Sequence, residues 1–294
     1  FPDKPFLGSE NGGGYEQWCA VRDNAYISGQ FLWTGIDYLG EANWPQRSAG
    51  CGCLDTCGFE KDAFYFYKSV WNQNEKFAYL CPHWNLKLEK GTVLPVICYT
   101  NCEDAELFVN GRSFGVKSKG FPCYGMTERY GHFDRYRRPA NTDDLFLSWD
   151  VPYEPGKIEV VGYHDGKEVC RYNVETTGEA AAIKLTVDKT SVDADGRSVV
   201  QAEIRIVDSK GRIVLDANPQ LDFALEGDGE IIGIDNGDPA CHEQWKETKG
   251  RHAFNGMAYA IIRAGQTTGK LKLTVSGAGK DASLGTKTAV IEQK

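Results

Sequence analysis

Three side chains near the start of the chain could act together on a sugar ring. Glu10 ends a short apolar run at 5–9 and is followed by Asn11 and by glycines at 12–14. Trp33 and Asp37 end a second apolar run further along the chain. An indole offers a flat apolar face on which a pyranose can stack, and a carboxylate can attack the anomeric carbon. These residue types therefore predict a carbohydrate site.

Strands must position these groups, because each group follows an apolar run. The sequence predicts strands over 5–9 and 28–33, both apolar throughout, as parallel strands buried on two faces are. Apolar residues at helical spacing predict helices over 15–22 and 61–71. This order is typical of a β/α barrel, which places catalytic groups at the C-terminal ends of its strands. Glycines after Glu10 would let a ligand approach the backbone.

Two stretches carry a resemblance to a known family. They read KPFLGSENGGGYEQWCAVRDNAYISGQFLWTGIDYLGE at 4–41 and GFEKDAFYFYKSVW at 58–71. Both resemble the last two β/α units of the barrel of glycoside hydrolase family 2, of the β-galactosidase type. The resemblance implies that Glu10 is the catalytic nucleophile and that Trp33 lines the sugar site. Asp37 and Glu41 are either solvated loop acids or partners of sugar hydroxyls, and we assign Asp37 to the substrate.

The rest of the chain has the two-residue period of β-strands. HWN at 83–85 and the stretches 99–115 and 149–163 resemble a sandwich domain that follows such barrels. IDNGDP at 234–239 resembles the terminal sandwich domain of the same family. The dipeptides Asn110-Gly111 and Asp165-Gly166 predict tight hairpin turns.

The sequence therefore predicts a mainly β protein in three parts. Two Ig-like β-sandwich domains are expected at 81–178 and 179–294. They are preceded at 1–80 by the last β/α units of a truncated TIM barrel. A two-unit slice of a barrel exposes strand edges and the apolar flanks of Phe6, Leu7, Phe31 and Leu32. We therefore expect the slice to be covered, either by packing of its helices on the 81–178 sandwich or by self-association.

The family resemblance also implies that parts of the enzyme lie outside this sequence. A barrel needs about 250 residues, and the acid/base Glu of the family lies upstream of the nucleophile, whereas nine residues precede Glu10. We therefore expect the C-terminal part of a larger retaining β-glycosidase that hydrolyses terminal β-galactosides. Its partners would be the glycan and the upstream barrel and N-terminal domains of the parent chain. The isolated chain is expected to be inactive.

Charge and hydropathy exclude two classes of partner. The formal net charge is −8, from 33 Lys and Arg against 41 Asp and Glu, which argues against nucleic acid. No apolar run approaches the roughly 18 residues of a membrane-spanning helix. The compartment is open, with a periplasmic or extracellular location favoured for a bacterial glycan-degrading enzyme.

The ten cysteines admit several interpretations. Cys51, Cys53 and Cys57 are close in sequence, and they are interpreted first as buried free thiols, then as a disulfide, then as metal ligands. A zinc site usually pairs two such groups, and no second group is evident. We expect no metal and no cofactor. The oxygen-rich turns at 227–229 and 235–238 are assigned to turn chemistry rather than to calcium binding.

Two surface features and two other functions stay open. The Arg- and Tyr-rich stretch at 129–138 and Trp245 are each either glycan contacts or ordinary loop and packing residues. The sandwiches could instead form a carbohydrate-binding or adhesive module pair, which binding by the 81–294 piece would reveal. Alternatively they only buttress the barrel or carry a dimer contact. Deleting 179–294 from the parent would then change its melting temperature and leave turnover per folded molecule unchanged.

Overall fold

The fold is described by a computed structural model that covers residues 4–119, 145–244, 246 and 248–294. The stretch at 129–138 and Trp245 lie outside the described residues, so the hypotheses about them stay open. Contacts divide the chain into two units. Unit 1 comprises Phe1–Asp37, Cys51–Leu54 and Glu60–Thr176, and unit 2 comprises Tyr38–Gly50, Asp55–Phe59 and Thr177–Lys294.

The predicted strand–helix–strand–helix order is present before residue 81. The elements are β1 (Phe6–Asn11), α1 (Tyr15–Asp23), β2 (Ile27–Leu32), β3 (Tyr38–Leu39), β4 (Ser48–Ala49), α2 (Asp62–Trp71) and β5 (Ala78–Cys81). β1 and β2 pair in parallel, with Leu7 opposite Gly29 and Asn11 opposite Leu32. Parallel pairing requires a crossover, which α1 supplies. The two predicted strands and two predicted helices are therefore confirmed, within two residues at each end.

The apolar side chains of β1 and β2 are exposed, as predicted from the sequence for two β/α units alone. Phe6, Leu7 and Phe31 expose 57%, 52% and 62% of their surface. The physical reason is that, among the described residues, these two strands pair only with each other. An apolar run shows that a strand can be buried, but it does not show which element covers it.

Antiparallel strands make up the rest of unit 1. They are β6 (Val93–Thr100), β7 (Asp104–Val109), β8 (Arg112–Ser118), β9 (Leu147–Pro152), β10 (Lys157–His164) and β11 (Lys167–Glu175). One sheet has the order β11-β10-β7-β8, and another has the order β5-β6-β9. Their buried side chains form one core that includes Leu80, Val96, Leu107, Trp149 and Ile158. Sheets that share a core in this way form a β-sandwich.

Both predicted hairpin turns are confirmed. Asn110-Gly111 joins β7 to β8, and Asp165-Gly166 joins β10 to β11. Asn110 and Asp165 have φ of 49°, and the glycines that follow have φ of 81° and 70°. Two successive residues with positive φ match the twist of the flanking strands, which is why Asx-Gly pairs favour such turns.

Aromatic side chains hold α1 and α2 against the sheet that contains β6. The ring of Tyr15 meets that of Phe66 edge-on, with centroids 4.9 Å apart. The Tyr15 hydroxyl hydrogen-bonds to the hydroxyl of Tyr99 on β6. Phe66 and Tyr67 are buried in the cluster that also contains Tyr99. The predicted packing of these helices on the following sheets is therefore confirmed.

Unit 2 consists mainly of antiparallel strands with alternating burial. They are β12 (Ala182–Val187), β13 (Ser191–Val192), β14 (Val199–Val207), β15 (Gln220–Glu226), β16 (Gly229–Asp235), β17 (Gly250–His252), β18 (Met257–Ala264), β19 (Gly269–Gly277) and β20 (Thr286–Gln293). The main sheets have the orders β12-β14-β18-β16 and β13-β20-β19-β15-β17. Both sheets contribute to one core, which includes Ile204, Leu221, Ala260, Leu273 and Val275.

The chain is thus mainly β, with several antiparallel sheets, as the sequence predicted. The domain boundaries near residues 80 and 178 stay predictions. Within the described ranges, no helix combines the length and the apolar character that crossing a bilayer requires.

Candidate active site

The C-terminal end of β1 carries Glu10. The side chain of Glu10 is exposed, and the buried residue of this strand is Gly8. A Cβ atom at position 8 would lie 2.0 Å from Oδ1 of Asn11. Position 8 therefore has to be glycine if Asn11 is to fold back at the strand end.

Trp33 lies beside this strand end. β2 ends at Leu32, and the backbone amide of Trp33 donates a hydrogen bond to the carbonyl of Asn11 over 2.8 Å. The Trp33 residue is 43% exposed. Because β1 and β2 are parallel, Glu10 and Trp33 lie at the same edge of the sheet.

The glycines after Glu10 turn the chain into α1. Gly14 has a φ of 144°, which favours glycine, and its amide donates to the Tyr67 hydroxyl over 3.1 Å. A Cβ atom at Gly13 would lie 3.4 Å from Leu32 and 3.5 Å from Tyr67. A Cβ at Gly12 would meet no described atom within 4 Å. At least one of the three glycines is therefore needed for backbone geometry.

Asp37 is buried in an ion pair. Nζ of Lys61, which directly precedes α2, lies 2.9 Å from both carboxylate oxygens of Asp37. Oδ1 also accepts the amide of Gly52 over 2.7 Å. The Asp37 side chain is 3% exposed and that of Lys61 is 32% exposed. The observed partners of Asp37 are thus protein groups, and its predicted contact with sugar stays a prediction.

Backbone hydrogen bonds hold this ion pair in place. The amides of Cys53 and Leu54 both donate to the carbonyl of Gly35, and the Lys61 amide donates to Cys53. A Cβ atom at Gly52 would lie 2.3 Å from the Asp37 nitrogen, so the two segments approach as closely as glycine allows. The sequence did not suggest Lys61 as a partner, because 24 residues separate it from Asp37.

The predicted cysteine cluster has three different environments. Cys51 is exposed and Cys53 is buried, both in unit 1, whereas Cys57 is half-buried in unit 2. The described cysteines are free thiols. Burial raises the pKa of Cys57, and the negative charges of Asp235 and Asp55 add to the effect. This environment favours the buried-thiol interpretation at Cys57, because metal ligation requires a thiolate.

An exposed tryptophan in unit 2 was missed by the sequence analysis. Trp44 is 83% exposed, and its ring centroid lies 4.6 Å from that of His242. Nε2 of His242 lies 2.7 Å from the carbonyl oxygen of Pro45. The Arg47 amide donates to the carbonyl of Pro239 over 2.8 Å. These contacts anchor the loop that carries Trp44. In the sequence, the Trp44-Pro45 pair in an otherwise polar stretch could have identified this tryptophan as a surface residue.

Glu41, the other loop acid, also belongs to unit 2. It is exposed, it has a φ of 49°, and it accepts a hydrogen bond from the Tyr38 hydroxyl.

The turn chemistry predicted for 235–238 is confirmed. Oδ1 of Asp235 accepts the amide of Asn236 over 2.8 Å, and Oδ1 of Asn236 accepts that of Asp238 over 3.1 Å. Oδ1 of Asp238 accepts the amide of Ala240 over 2.8 Å. In the other oxygen-rich turn, Asp228 likewise accepts two backbone amides. These side-chain oxygens thus bind backbone donors.

Two family models match the chain. Residues 183–284 match glycoside hydrolase family 2 C-terminal domain 5. Residues 91–170 match a domain of unknown function designated DUF4982. The two matches together fall on the antiparallel sheets of both units.

Known proteins of similar sequence and structure are bacterial glycosidases. The chain is 37% identical over 263 residues to beta-galactosidase BoGH2A of Bacteroides ovatus, which covers 88% of this chain and 28% of that protein. It is 30% identical over 253 residues to a putative beta-glucuronidase of Formosa agariphila. That match covers 84% of this chain and 22% of the relative. A crystal structure of a glycosyl hydrolase family 2 member from Bacteroides cellulosilyticus superposes with a TM-score of 0.84 at 26% identity. The superposition covers 100% of this chain and 40% of that structure.

The chain therefore spans less than half the length of each of these relatives. The predicted family resemblance is confirmed across nearly the whole sequence. The chain belongs to glycoside hydrolase family 2 and carries C-terminal domains of an enzyme of that family.

Proposed function

We propose that the parent enzyme is a retaining β-glycosidase that removes terminal β-galactosyl groups, with Glu10 as its catalytic nucleophile. The observation that carries this proposal is the meeting of two strand ends. Glu10 is exposed at the end of β1. The Trp33 amide donates a hydrogen bond to the carbonyl of Asn11, which places Trp33 at the same end of the two-stranded sheet. A carboxylate beside an indole at the C-terminal edge of parallel strands suits attack on a stacked sugar ring.

The proposed reaction has two steps. The Glu10 carboxylate attacks the anomeric carbon, the bond to the leaving oxygen breaks, and a covalent glycosyl-enzyme forms. A second carboxyl group, about 5 Å from the first in retaining enzymes, protonates the leaving oxygen and then activates water. We assign this second group to the upstream barrel of the parent enzyme. Accordingly, β1, α1, β2 and α2 would be the last β/α units of that barrel.

Trp33 and Asp37 take different parts in this proposal. Trp33 forms the stacking platform, since nearly half of its surface is exposed. Asp37 is the weaker candidate for a sugar contact, because both of its oxygens already accept hydrogen bonds from Lys61. Its observed contacts favour a positioning role, in which the Lys61 pair fixes the chain segment that follows Trp33.

The sandwich domains are proposed to support the barrel. In this view, 81–178 and 179–294 are Ig-like domains, and the first covers the helices of 1–80 through Phe66 and Tyr99. The alternative, a carbohydrate-binding module pair, has the exposed Trp44 as its specific observation. Glycan binding by the chain after Glu10 and Trp33 are both replaced would favour that alternative.

The choice of galactoside over glucuronide follows the nearer of the two curated relatives reported above. The beta-galactosidase shares 37% identity with the chain, against 30% for the putative beta-glucuronidase. Nitrophenyl β-galactoside and β-glucuronide would be compared as substrates of the intact parent enzyme. A higher kcat/KM for the glucuronide would overturn the galactoside assignment and leave the nucleophile assignment standing.

The nucleophile is tested by Glu10→Gln in the intact parent enzyme. We expect turnover to fall by at least about 10³-fold, a barrier increase of about 4 kcal/mol. Added azide should restore turnover of the Glu10→Ala variant and give a glycosyl azide of inverted configuration. The matched control is Glu16→Gln, which removes an exposed carboxylate from the first turn of α1 and should leave turnover unchanged. A Glu10→Gln enzyme with more than about a tenth of normal turnover would refute the assignment.

A further inference from the structure

Two cysteines of unit 1 meet although they are distant in sequence. The sulfur atoms of Cys102 and Cys170 lie 3.5 Å apart. Cys102 lies in the connection between β6 and β7, and Cys170 lies on β11. A disulfide bond is about 2.05 Å long, so a small side-chain movement would bring the two sulfurs to bonding distance.

A glycine makes room for this sulfur pair. Gly162 of β10 pairs with Cys170 on one side and with Ala105 of β7 on the other. A Cβ atom at position 162 would lie 2.6 Å from Sγ of Cys170 and 2.7 Å from Sγ of Cys102. Both sulfurs therefore occupy the space that any other residue at this position would fill.

The two thiols differ in exposure and acidity. Cys102 is 1% exposed, whereas Cys170 is half-buried. The hydrogen bond from Cys170 is the main cause that lowers the pKa of Cys102. The Thr100 hydroxyl and the positive charges of Lys76 and Lys119 lower this pKa as well, and together these effects outweigh burial, which raises it. The same hydrogen bond and burial raise the pKa of Cys170. The buried partner is thus the better nucleophile, and the exposed partner is the one that an oxidant can reach.

We propose that Cys102 and Cys170 form a thiol–disulfide site, at which a small-molecule disulfide of the glutathione class converts the pair to an intramolecular disulfide. The Cys170 thiol passes its proton to the Cys102 thiolate beside it and attacks one sulfur of the oxidant, whose S–S bond breaks and releases the first small thiolate. That thiolate takes the proton from Cys102. The Cys102 thiolate then attacks Sγ of Cys170 and releases the second small thiolate, which takes up the proton that Cys102 had first lost to solvent. Two protein thiols are oxidised, and one external disulfide is reduced to two thiols.

This bond would fasten β11 to the β6–β7 connection across β10. It would link residues 68 positions apart in the sequence. Crosslinks over long loops stabilise mainly by restricting the unfolded chain. For a unit of this size we expect the melting temperature of unit 1 to rise by about 5 to 10 °C on oxidation.

The test exposes the full chain to mixtures of oxidised and reduced glutathione at about pH 8, where a thiol of lowered pKa such as that of Cys102 is ionised. Peptide mass spectrometry then locates crosslinks and adducts, and thermal unfolding gives the melting temperature. We expect loss of two thiols, a Cys102–Cys170 crosslink, and a rise in melting temperature that dithiothreitol reverses. The matched control is Cys98→Ser, a buried cysteine four positions from Cys102, which should behave like the wild type.

Single variants separate the two roles. Cys102→Ser should accumulate a glutathione adduct on Cys170, because no second thiol is present to displace it. Cys170→Ser should form neither crosslink nor adduct at these positions. A stable adduct on Cys170 of the wild-type chain, a crosslink to another cysteine, or full retention of both thiols under oxidising mixtures would overturn the proposal. The wild-type peptide map decides the matter even if a variant fails to fold.

Discussion

The ammonium group of Lys61 lies 2.9 Å from both carboxylate oxygens of Asp37, 24 residues away in the chain. This pair joins the segment after Trp33 to the residue that precedes α2. The Asp37 side chain is almost fully buried, whereas the Lys61 side chain is partly exposed. An ion pair of this kind stabilises a fold less by its own attraction than by preventing an unpaired buried charge.

Removing one partner of this pair should therefore destabilise unit 1. We expect Lys61→Met to lower the free energy of unfolding by about 2 to 3 kcal/mol, because it leaves the buried Asp37 charge without its main partner. Denaturant unfolding followed by tryptophan fluorescence measures the change. Lys68→Met is the matched control, since the Lys68–Glu75 pair is more exposed and spans 3.5 Å. Equal effects of the two variants would show that the Asp37 pair is not structurally important.

Phe66 should control the order of the first 80 residues. It is 3% exposed and contacts both Tyr15 and Tyr99. Phe66→Ala should cost about 3 to 4 kcal/mol, because the cavity removes contacts between the helices and β6. Limited proteolysis should then cut the parts of 4–80 that belong to unit 1 rapidly, while the strands β12 to β20 resist. Phe31→Ala, at a 62% exposed position, serves as the control. Rapid cleavage of 4–80 in the wild-type chain would mean that the sheet does not support these helices.

Trp33→Ala in the parent enzyme should raise KM and lower kcat/KM by about 10- to 100-fold, since a stacked sugar would lose its apolar platform. Trp33→Phe should retain part of the affinity. Trp44→Ala, which removes the more exposed indole, is expected to change both constants by less than about twofold. Steady-state kinetics on an aryl galactoside compares the three variants. The stacking role fails if Trp33→Ala has normal kcat/KM.

Acid should weaken unit 2 through Asp208. Burial alone would raise the pKa of this carboxyl, but the Arg212 guanidinium and the backbone amides of Gly178, Lys210 and Arg212 outweigh it and hold the pKa well below its usual range. A carboxyl with a depressed folded-state pKa contributes stability above its unfolded pKa of about 4, and that stability is lost as the pH falls further.

Asp208→Asn should therefore lower the melting temperature of unit 2 by several degrees at neutral pH and flatten its decline below about pH 4. Thermal unfolding across a pH series provides the measurement. Asp222→Asn, at an exposed position of β15, should leave the pH profile of the wild type intact. An unchanged acid slope in Asp208→Asn would place the acid sensitivity elsewhere.

Local sequence patterns predicted the strands, helices and turns of this fold better than the contacts between distant segments. The apolar runs that end in Glu10 and Trp33 are both strands, and the Asx-Gly pairs are both turns, because such signals depend on nearby residues. The pairing of Asp37 with Lys61 depends on which distant segments meet, and no local pattern encodes that. The division of the loop 38–59 between two units was unpredictable for the same reason.

That division has a consequence for how this part of the protein can be inherited or engineered. Arg47 and Asp55 belong to the second unit, although the sequence between them and Thr177 belongs largely to the first. The Asp55 carboxylate lies where a Cβ atom at Gly237 would be, and Arg47 pairs with Asp235 over 3.3 Å. A cut at residue 177 would leave the 235–240 turn without either partner. Gene shuffling by a single crossover therefore cannot transfer the second unit whole, and a graft onto another scaffold has to carry the loop 38–59 with it.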